Sequence, residues 1–117
     1  MHPAPREGSF DLLAERVLRA VEQIPSGSVV SYGDLAGIVG TTARVVGSVM
    51  SQFGSDVTWW RVVNRDGRLP EHLMVAARER WAEEGIAAGE HGCRIYDHRA
   101  DLDDLAERYA AAVDSLE

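Results

Sequence analysis

A chain of 117 residues has room for one domain with a single modest hydrophobic core. Its formal charge of −7 argues against high general affinity for nucleic acid, because lysine and arginine contacts to phosphate supply most of that affinity. No apolar stretch approaches the ~20 residues that cross a bilayer, no basic-then-apolar leader opens the sequence, and the lone cysteine, Cys93, excludes an internal disulfide. We therefore expect a soluble, cytoplasmic and monomeric protein that needs no cofactor.

The charge is distributed unevenly along the chain. Residues 93–117 contain three arginines against seven acidic residues, whereas residues 41–68 have a balance of +2. The sequence has 12 arginines and no lysine. Arginine suits stacking and bidentate contact with phosphate. We therefore expect weak general affinity for DNA despite the acidic total.

Residues 1–8 contain two prolines and a glycine and are predicted to be a disordered lead-in. A helix should begin near Ser9, a suitable N-cap, and end at about Ile24. Apolar residues recur at three- to four-residue spacing over this range, and Pro25 follows it.

Two short helices follow. The first begins after Ser31 in a capping-box-like arrangement and ends at Gly40. The second is capped by Thr41 or Thr42 and extends to about Phe53. Two short helices joined through a glycine-containing turn are typical of a helix-turn-helix. We therefore predict a mainly α, small single-domain helical fold built on that motif.

The second of these helices has an unusual outer face. Its apolar residues are expected to point to the core: Val46, Val49, Met50 and Phe53. The residues left outside are one cation and three small residues: Arg44, Gly47, Ser48 and Ser51. Such a smooth face lets a duplex backbone approach closely, and the amides at a helix N-terminus favour phosphate. The alternative is that the small residues permit close packing against another helix.

The second half of the chain is less regular. Residues 57–63 are predicted to be extended and buried. Helices should run from about Glu71 to Glu84 and from Asp101 to Leu116. These elements divide the chain into a domain over residues 9–92 and an acidic C-terminal extension over residues 93–117, which ends in a helix whose packing partner is left open.

One further group of residues, His91, Cys93 and His98, contains possible metal ligands. Cysteine and histidine bind zinc, but the spacing lacks the paired two-residue gaps of structural zinc sites. We therefore expect no metal there.

Several short segments together resemble the C-terminal domain of the O6-alkylguanine-DNA alkyltransferases. They occur in that family's order and approximate spacing, at residues 24–29, 31–36, 43–47, 59–64, 67 and 83–86. That family carries Pro-Cys-His-Arg-Val at its active site, and its cysteine accepts the alkyl group. The positions of that cysteine and of the following histidine are here Trp59 and Trp60. The chain is therefore identified as alkyltransferase-like, a type of protein thought to bind the lesion and flag it.

The resemblance implies roles for two residues of the DNA-binding surface. Arg44 would enter the base stack in place of an extruded nucleotide, and Tyr32 would help to rotate the 3′ phosphate during base flipping. Considered alone, an isolated arginine is usually a solvated side chain, and a tyrosine near a helix start is usually a core residue with a wet tip.

The same resemblance places a lesion pocket at Trp59, whose indole would offer apolar contact to an alkyl group but no nucleophilic atom. The other residues implied in this pocket are Val62, Val63, Asn64 and, in its lid, Arg68 and His72. The alternatives are a core aromatic for the tryptophan and exposed loop positions for the two lid residues.

Three nearby residues are expected to be structural. Arg61 is flanked by apolar residues and needs hydrogen-bond partners. Trp60 is expected to pack into the core, and Glu84 to serve only its helix end, since the family's histidine is absent.

Three functions follow from these observations. The leading hypothesis is a non-enzymatic sensor that binds O6-alkylguanine in double-stranded DNA by base flipping and directs it to nucleotide excision repair proteins. Such a protein would be nucleoid-associated when bound to DNA. The alternatives are a helix-turn-helix transcription regulator, which needs base-reading side chains along its recognition helix, and a protein-interaction module that has lost DNA binding. An active alkyltransferase is disfavoured, because Cys93 lies well past the pocket motif.

Overall fold

The computed structural model describes residues 4–114, with side chains from Phe10 onwards. Most of the described chain is helical, which confirms the mainly α prediction. The elements in chain order are α1 (Ala4–Glu22), β1 (Val30–Ser31), α2 (Tyr32–Val39), α3 (Ala43–Phe53), β2 (Val62–Val63), α4 (Met74–Glu84), α5 (Ile95–His98) and α6 (Leu102–Asp114), with 3-10 turns at Gly54–Asp56, Trp59–Arg61 and Glu71–Leu73.

Helix α1 begins earlier than predicted. The chain is helical from Ala4, so the prediction of a disordered lead-in is wrong for residues 4–8, and the N-cap at Ser9 is also wrong; residues 1–3 lie outside the described residues. Pro5 falls in the first helical turn, where a missing backbone N–H costs nothing, because the first four N–H groups of a helix have no partner within it. The helix ends at Glu22, two residues before the predicted end at Ile24.

The caps predicted for the helix-turn-helix are confirmed. The Ser31 hydroxyl accepts a hydrogen bond from the Asp34 N–H at 3.0 Å, and the Asp34 carboxylate accepts one from the Ser31 N–H at 3.0 Å, which completes a capping box. Gly40 ends α2 with φ of 91°, and the Thr42 hydroxyl caps α3 by accepting from the Val45 N–H at 3.2 Å. These local bonds set where both helices begin and end.

A short parallel sheet joins the two halves of the chain. Val30 of β1 pairs with Val62 of β2, and Ser31 pairs with Val63. The prediction that residues 57–63 are extended is wrong for part of this range, because the chain forms the 3-10 turn Trp59–Arg61 before β2. Since carboxyl ends of parallel strands lie at one edge, the pairing brings the start of α2 beside the residues that follow β2.

The acidic C-terminal segment is part of the packed fold. Helix α6 packs against α1 and α2, and Leu105 is 1% exposed within the larger core. The backbone N–H of Val29 donates to the His98 carbonyl at 2.9 Å, and that of Ala100 donates to the Val29 carbonyl at 2.9 Å. The chain therefore continues its core across the predicted boundary after residue 92.

A close backbone contact fixes the segment that leads into α5. Gly67 has a φ of 81°, and a Cβ at this position would lie 2.2 Å from the Cys93 carbonyl oxygen. The Cys93 N–H donates to the Gly67 carbonyl at 2.9 Å. Only glycine fits this approach, because any side chain would collide with backbone.

No helix among the described residues is long and apolar enough to span a membrane.

Candidate nucleic-acid interface

A pocket of about 340 Å³ opens between the helix-turn-helix and the two loops that flank β2. It unites six of the residues proposed from the sequence: Tyr32, Gly47, Ser51, Trp59, Val62 and His72. The remaining wall residues were not singled out for it: Met50, Gln52, Gly54, Ser55, Leu69, Pro70 and Leu73. Its volume lies within the ~300–1,000 Å³ that small-molecule sites occupy, so it is large enough to receive a single base.

Tyr32 is the first residue of α2 and lines the pocket. The capping box at Ser31 fixes the start of the helix and with it the direction of the tyrosine side chain. Tyr32 is partly buried, and this burial raises the pKa of its phenol above the usual value of 10.0. The hydroxyl is therefore protonated at neutral pH and available as a hydrogen-bond donor at the mouth of the pocket.

The outer face of α3 is open. A Cβ built on Gly47 would meet no atom within 4 Å, so close packing against another helix does not explain this glycine. Ser48 and Ser51 are exposed, and the Ser48 hydroxyl accepts a hydrogen bond from the Gln52 side chain at 3.0 Å. A glycine inside a helix costs about 0.5–1 kcal/mol relative to alanine. Gly47 therefore destabilises the helix without allowing any closer packing inside the protein.

Arg44 projects from the first turn of α3, where it is exposed and has no described partner. The opposite face of the helix packs as predicted at Val46 and Val49, which are fully buried. Phe53 differs from the prediction, because it lies at the last turn of α3 and remains 42% exposed beside Phe10. Met50 also differs, since it is only partly buried and lines the pocket.

Trp59 forms part of the pocket wall and meets Trp60 edge to face, with ring centroids 5.6 Å apart. No thiol lines this pocket among the described residues. Cys93 lies in a second hydrophobic cluster, and burial raises the pKa of its thiol to about 11. The buried residues of this second cluster are Val29, Val63, Leu69, Met74, Ala77, Trp81, Ile86, Cys93 and Ile95. A protonated thiol is a poor nucleophile, so neither Trp59 nor Cys93 offers an acceptor for an alkyl group.

Trp60 belongs to a separate polar group, the Glu84 cluster, formed by Gly27, Trp60, Arg61 and Glu84. The Glu84 carboxylate accepts hydrogen bonds from the Trp60 indole at 2.9 Å, from Arg61 Nη2 at 2.6 Å and from the Gly27 N–H at 3.0 Å. Arg61 Nη1 donates to the Ile24 carbonyl at 2.9 Å. The structural role predicted for Arg61 is therefore confirmed, whereas Glu84 does more than end its helix.

The electrostatics of the Glu84 cluster favour its ionised form. Burial by itself would raise the pKa of the Glu84 carboxyl, but hydrogen bonds from Arg61, Gly27 and Trp60 outweigh it and hold the pKa below its usual value. The guanidinium carbon of Arg80 lies 4.7 Å from the centre of the Trp60 ring, which adds a cation–π contact. Trp60 is thus fixed by its indole N–H and its ring face, outside the pocket wall.

Three residues proposed for the pocket lie outside its wall. Val63 is fully buried in the second cluster. The Asn64 side-chain oxygen accepts from the N–H groups of Asp66 and Arg68, both at 2.9 Å, and so shapes the turn after β2. Arg68 is not in the pocket wall, because its guanidinium bonds Glu71 at 2.9 Å and the His91 carbonyl. Of the two proposed lid residues, the structure brings only His72 to the pocket.

The histidine and cysteine group near residue 93 has a structural role. His98 Nε2 accepts a hydrogen bond from the Ala87 N–H at 3.0 Å. Within the described part of the chain, no three histidine, cysteine or acidic side chains converge as metal ligands do.

Comparison with known proteins adds a family to this geometry. Residues 13–86 match the family described as 6-O-methylguanine DNA methyltransferase, DNA binding domain. The chain is 43% identical over 63 residues to the DNA base-flipping protein of Escherichia coli, an alignment that covers 50% of this chain and 49% of that protein. It is also 35% identical over 85 residues to alkyltransferase-like protein 1 of Schizosaccharomyces pombe, covering 66% of this chain and 79% of that protein.

A solved structure shares the fold. The S. pombe protein Atl1, crystallised with damaged DNA containing O6-carboxymethylguanine, superposes with a TM-score of 0.66 at 28% identity. The match covers 78% of this chain and 96% of that one. The helix-turn-helix architecture expected from the sequence is therefore that of a protein solved on DNA, while the chain spans about half the length of the E. coli relative.

Proposed function

This chain belongs to the 6-O-methylguanine DNA methyltransferase DNA-binding-domain family as an alkyltransferase-like protein, and we propose that it recognises O6-alkylguanine in duplex DNA without repairing it. The observation that carries the proposal is the pocket itself. It brings Tyr32 and the open face of α3 together with Trp59, the residue that the sequence resemblance puts at the family's nucleophile position. The names of the relatives, a base-flipping protein and one solved with damaged DNA, support the same function.

Recognition proceeds by extrusion of the modified nucleotide. The open face around Gly47 lets the duplex backbone approach α3, and Arg44 occupies the space that the flipped base leaves. The Tyr32 hydroxyl donates a hydrogen bond to a phosphate oxygen and holds the rotated backbone. Flipping costs a few kcal/mol, and less where a lesion already weakens pairing, so the O6-alkyl group itself favours capture.

The pocket is suited to hold an alkylated base by non-covalent contacts. Trp59, Leu69 and Leu73 supply an apolar surface for the alkyl group, and burial of each methylene contributes about 0.8 kcal/mol. Indole has no thiolate-like state that could accept the group. The protein therefore acts as a sensor and not as a methyltransferase.

A sensor that leaves the lesion in place must pass it to proteins that remove it. We include in the proposal that nucleotide excision repair proteins take over the bound site, because a flipped base held by a protein distorts the duplex. A transcription regulator is less well supported, since the only exposed side chains of α3 beyond Arg44 that could hydrogen-bond to bases are two serines and Gln52.

The test is a binding titration with matched duplexes that contain guanine, O6-methylguanine or O6-carboxymethylguanine at one position. We expect tighter binding to both modified duplexes at every salt concentration, and intact-mass measurement should show no transfer of the alkyl group to protein. Equal affinity for all three duplexes would refute lesion recognition. Stoichiometric alkylation of Cys93 would refute the non-enzymatic assignment.

A further inference from the structure

Most of the arginines in this acidic chain are already engaged. Among those whose side chains the structure describes, Arg44 and Arg65 make neither a hydrogen bond nor an ion pair. The chain has 19 acidic residues for 12 arginines, so carboxylate partners are abundant. An arginine that remains free in such a protein is available to an anion from outside. The DNA-binding role proposed for Arg44 leaves Arg65 without an assignment.

Arg65 lies beside the start of α2. The register that pairs Ser31 with Val63 places Tyr32 and Arg65 at the same edge of the small sheet. Arg65, Ser31 and Tyr96 line one small hollow, and Asp34 and Arg99 line it as well. Ser31 immediately precedes Tyr32, which lines the pocket. Arg65 therefore lies near the start of α2, where the pocket residue Tyr32 is found.

Helix α5 displays an aromatic ring next to this arginine. Tyr96 is 84% exposed, whereas its neighbour Ile95 is 7% exposed and anchors the helix in the second cluster. Arg94 is exposed as well, and its Nε lies 3.8 Å from the nearest Asp97 oxygen, which is a loose ion pair. Arg65, Arg94 and Tyr96 line one depression, which Arg68, Asp66 and Asp97 also line. A single exposed tyrosine is ordinary, but here the same depression holds the unpaired Arg65 and the loosely paired Arg94.

Arg99 differs from Arg65 and Arg94 because its charge is already paired within the protein. It borders the same hollow, yet its guanidinium forms a two-point ion pair with Asp34, the residue that completes the α2 capping box. Its charge is thereby committed to the fold. The cations available to an external anion are Arg65 and Arg94.

We propose that Arg65, Arg94 and Tyr96 form a flanking DNA contact, a surface that binds the sugar–phosphate backbone beside the lesion. This inference rests on the proposed function, since it takes the duplex to lie across Tyr32 and α3. Guanidinium forks bind phosphate oxygens at two points, and a tyrosine hydroxyl donates to phosphate while its ring covers sugar. Such contacts fix position and register without reading the base. They would also offset the repulsion between DNA and a chain of net charge −7.

Two of the three residues of the flanking contact lie in a part of this chain that the family match does not include. Arg94 and Tyr96 lie beyond residue 86, where that match ends. The backbone bonds from Cys93 to Gly67 and from Ile95 to Cys93 hold this segment against the turn that carries Arg65. The surface is thus preformed.

The experiment measures fluorescence anisotropy with a labelled duplex, plain or containing O6-methylguanine, over a range of salt concentrations. Arg65→Ala and Arg94→Ala should each weaken both duplexes by the same factor, roughly fivefold, and reduce the salt slope by about 0.9 per lost phosphate contact. Tyr96→Ala should weaken both about threefold with little change of slope, because it removes no charge. Arg108→Ala is the matched control, an exposed arginine paired with an aspartate on α6, and should change neither quantity.

The outcomes separate this inference from the proposed function. Unchanged affinity and slope in the Arg65→Ala/Arg94→Ala double variant would overturn the flanking contact, even where wild type prefers the lesion. Loss confined to the lesion duplex would also overturn it, because it would assign these residues to the pocket. If wild type shows no lesion preference while the variants still weaken plain-duplex binding, the flanking contact stands and lesion recognition fails. Circular dichroism melting should be unaltered, since all three side chains are exposed.

Discussion

Trp59 and Trp60 are adjacent in the sequence, yet one lines an open pocket and the other is held in a hydrogen-bonded cluster. Trp59 lies in the pocket wall with Tyr32 and Gly47, where a Cβ built on the glycine would face open space. Trp60 lies in the Glu84 cluster, where one carboxylate accepts hydrogen bonds from both the Arg61 guanidinium and the Trp60 indole N–H. One region is satisfied internally and stabilises the fold. The other leaves open space, which we propose that DNA fills.

The largest effect should come from breaking the Glu84 cluster. The side chains of Arg61 and Glu84 are only 14% and 11% exposed, so Glu84→Ala leaves a nearly buried guanidinium unpaired. We expect the free energy of unfolding to fall by about 3–5 kcal/mol, measured by urea denaturation. Glu83→Ala is the control, since Glu83 is exposed and lies 3.8 Å from Arg80, and should cost less than ~0.5 kcal/mol. A Glu84→Ala cost as small as that of the control would contradict the distinction between the regions.

Arg44→Ala should have the reverse profile. The side chain is exposed and unpartnered, so unfolding should change by less than ~0.5 kcal/mol. Affinity for an O6-methylguanine duplex should fall roughly 10- to 100-fold, which corresponds to about 1.4–2.7 kcal/mol. Wild-type affinity in this variant would remove the base-flipping assignment at its central residue.

Gly47→Ala should move stability and binding in opposite directions. The added methyl group enters open space, so the helix should gain about 0.5–1 kcal/mol, seen as a higher melting temperature. The same methyl projects where the duplex approaches, and DNA affinity should fall. Gly37→Ala in α2 is the control, because its Cβ also meets no atom within 4 Å and it does not line the pocket. It should stabilise the protein without loss of binding; equal binding in both variants would refute contact between α3 and DNA.

The smallest effect concerns pH. The folded-state pKa of Glu84 lies below its ordinary value of 4.5, so its contribution is complete above that value and is lost as pH falls through the folded pKa. The stability difference between wild type and Glu84→Gln should therefore be constant near neutral pH and narrow below about pH 4.5. Urea denaturation at a series of pH values measures it. A difference that stays constant to the end of the acid transition would show that the carboxylate charge does not matter.

Part of the fold was predictable because it depends on local bonds. The caps at Ser31 and Thr42 and the stops at Gly40 and Gly85 join residues within a few positions, so short motifs reveal them. The start of α1 was predicted wrongly, because prolines and a glycine read as disorder and a first-turn proline gives no separate signal. The packing of α6 could not be predicted either, since an apolar helix face does not indicate which element it packs against.

The sequence by itself determined the helix-turn-helix and the small outer face of α3, since each is a matter of residue type or close spacing, and it predicted that Trp59 stands at the family's nucleophile position. Only the tertiary structure decided which residues share the pocket, because its walls come from segments far apart in the chain. It brought in Leu69 and Leu73 and left Arg68 outside, held by Glu71. It also placed the Trp60 indole N–H within hydrogen-bond distance of Glu84, 24 positions away in the sequence. Such pairings depend on how the helices and the short sheet pack, and no local periodicity encodes that.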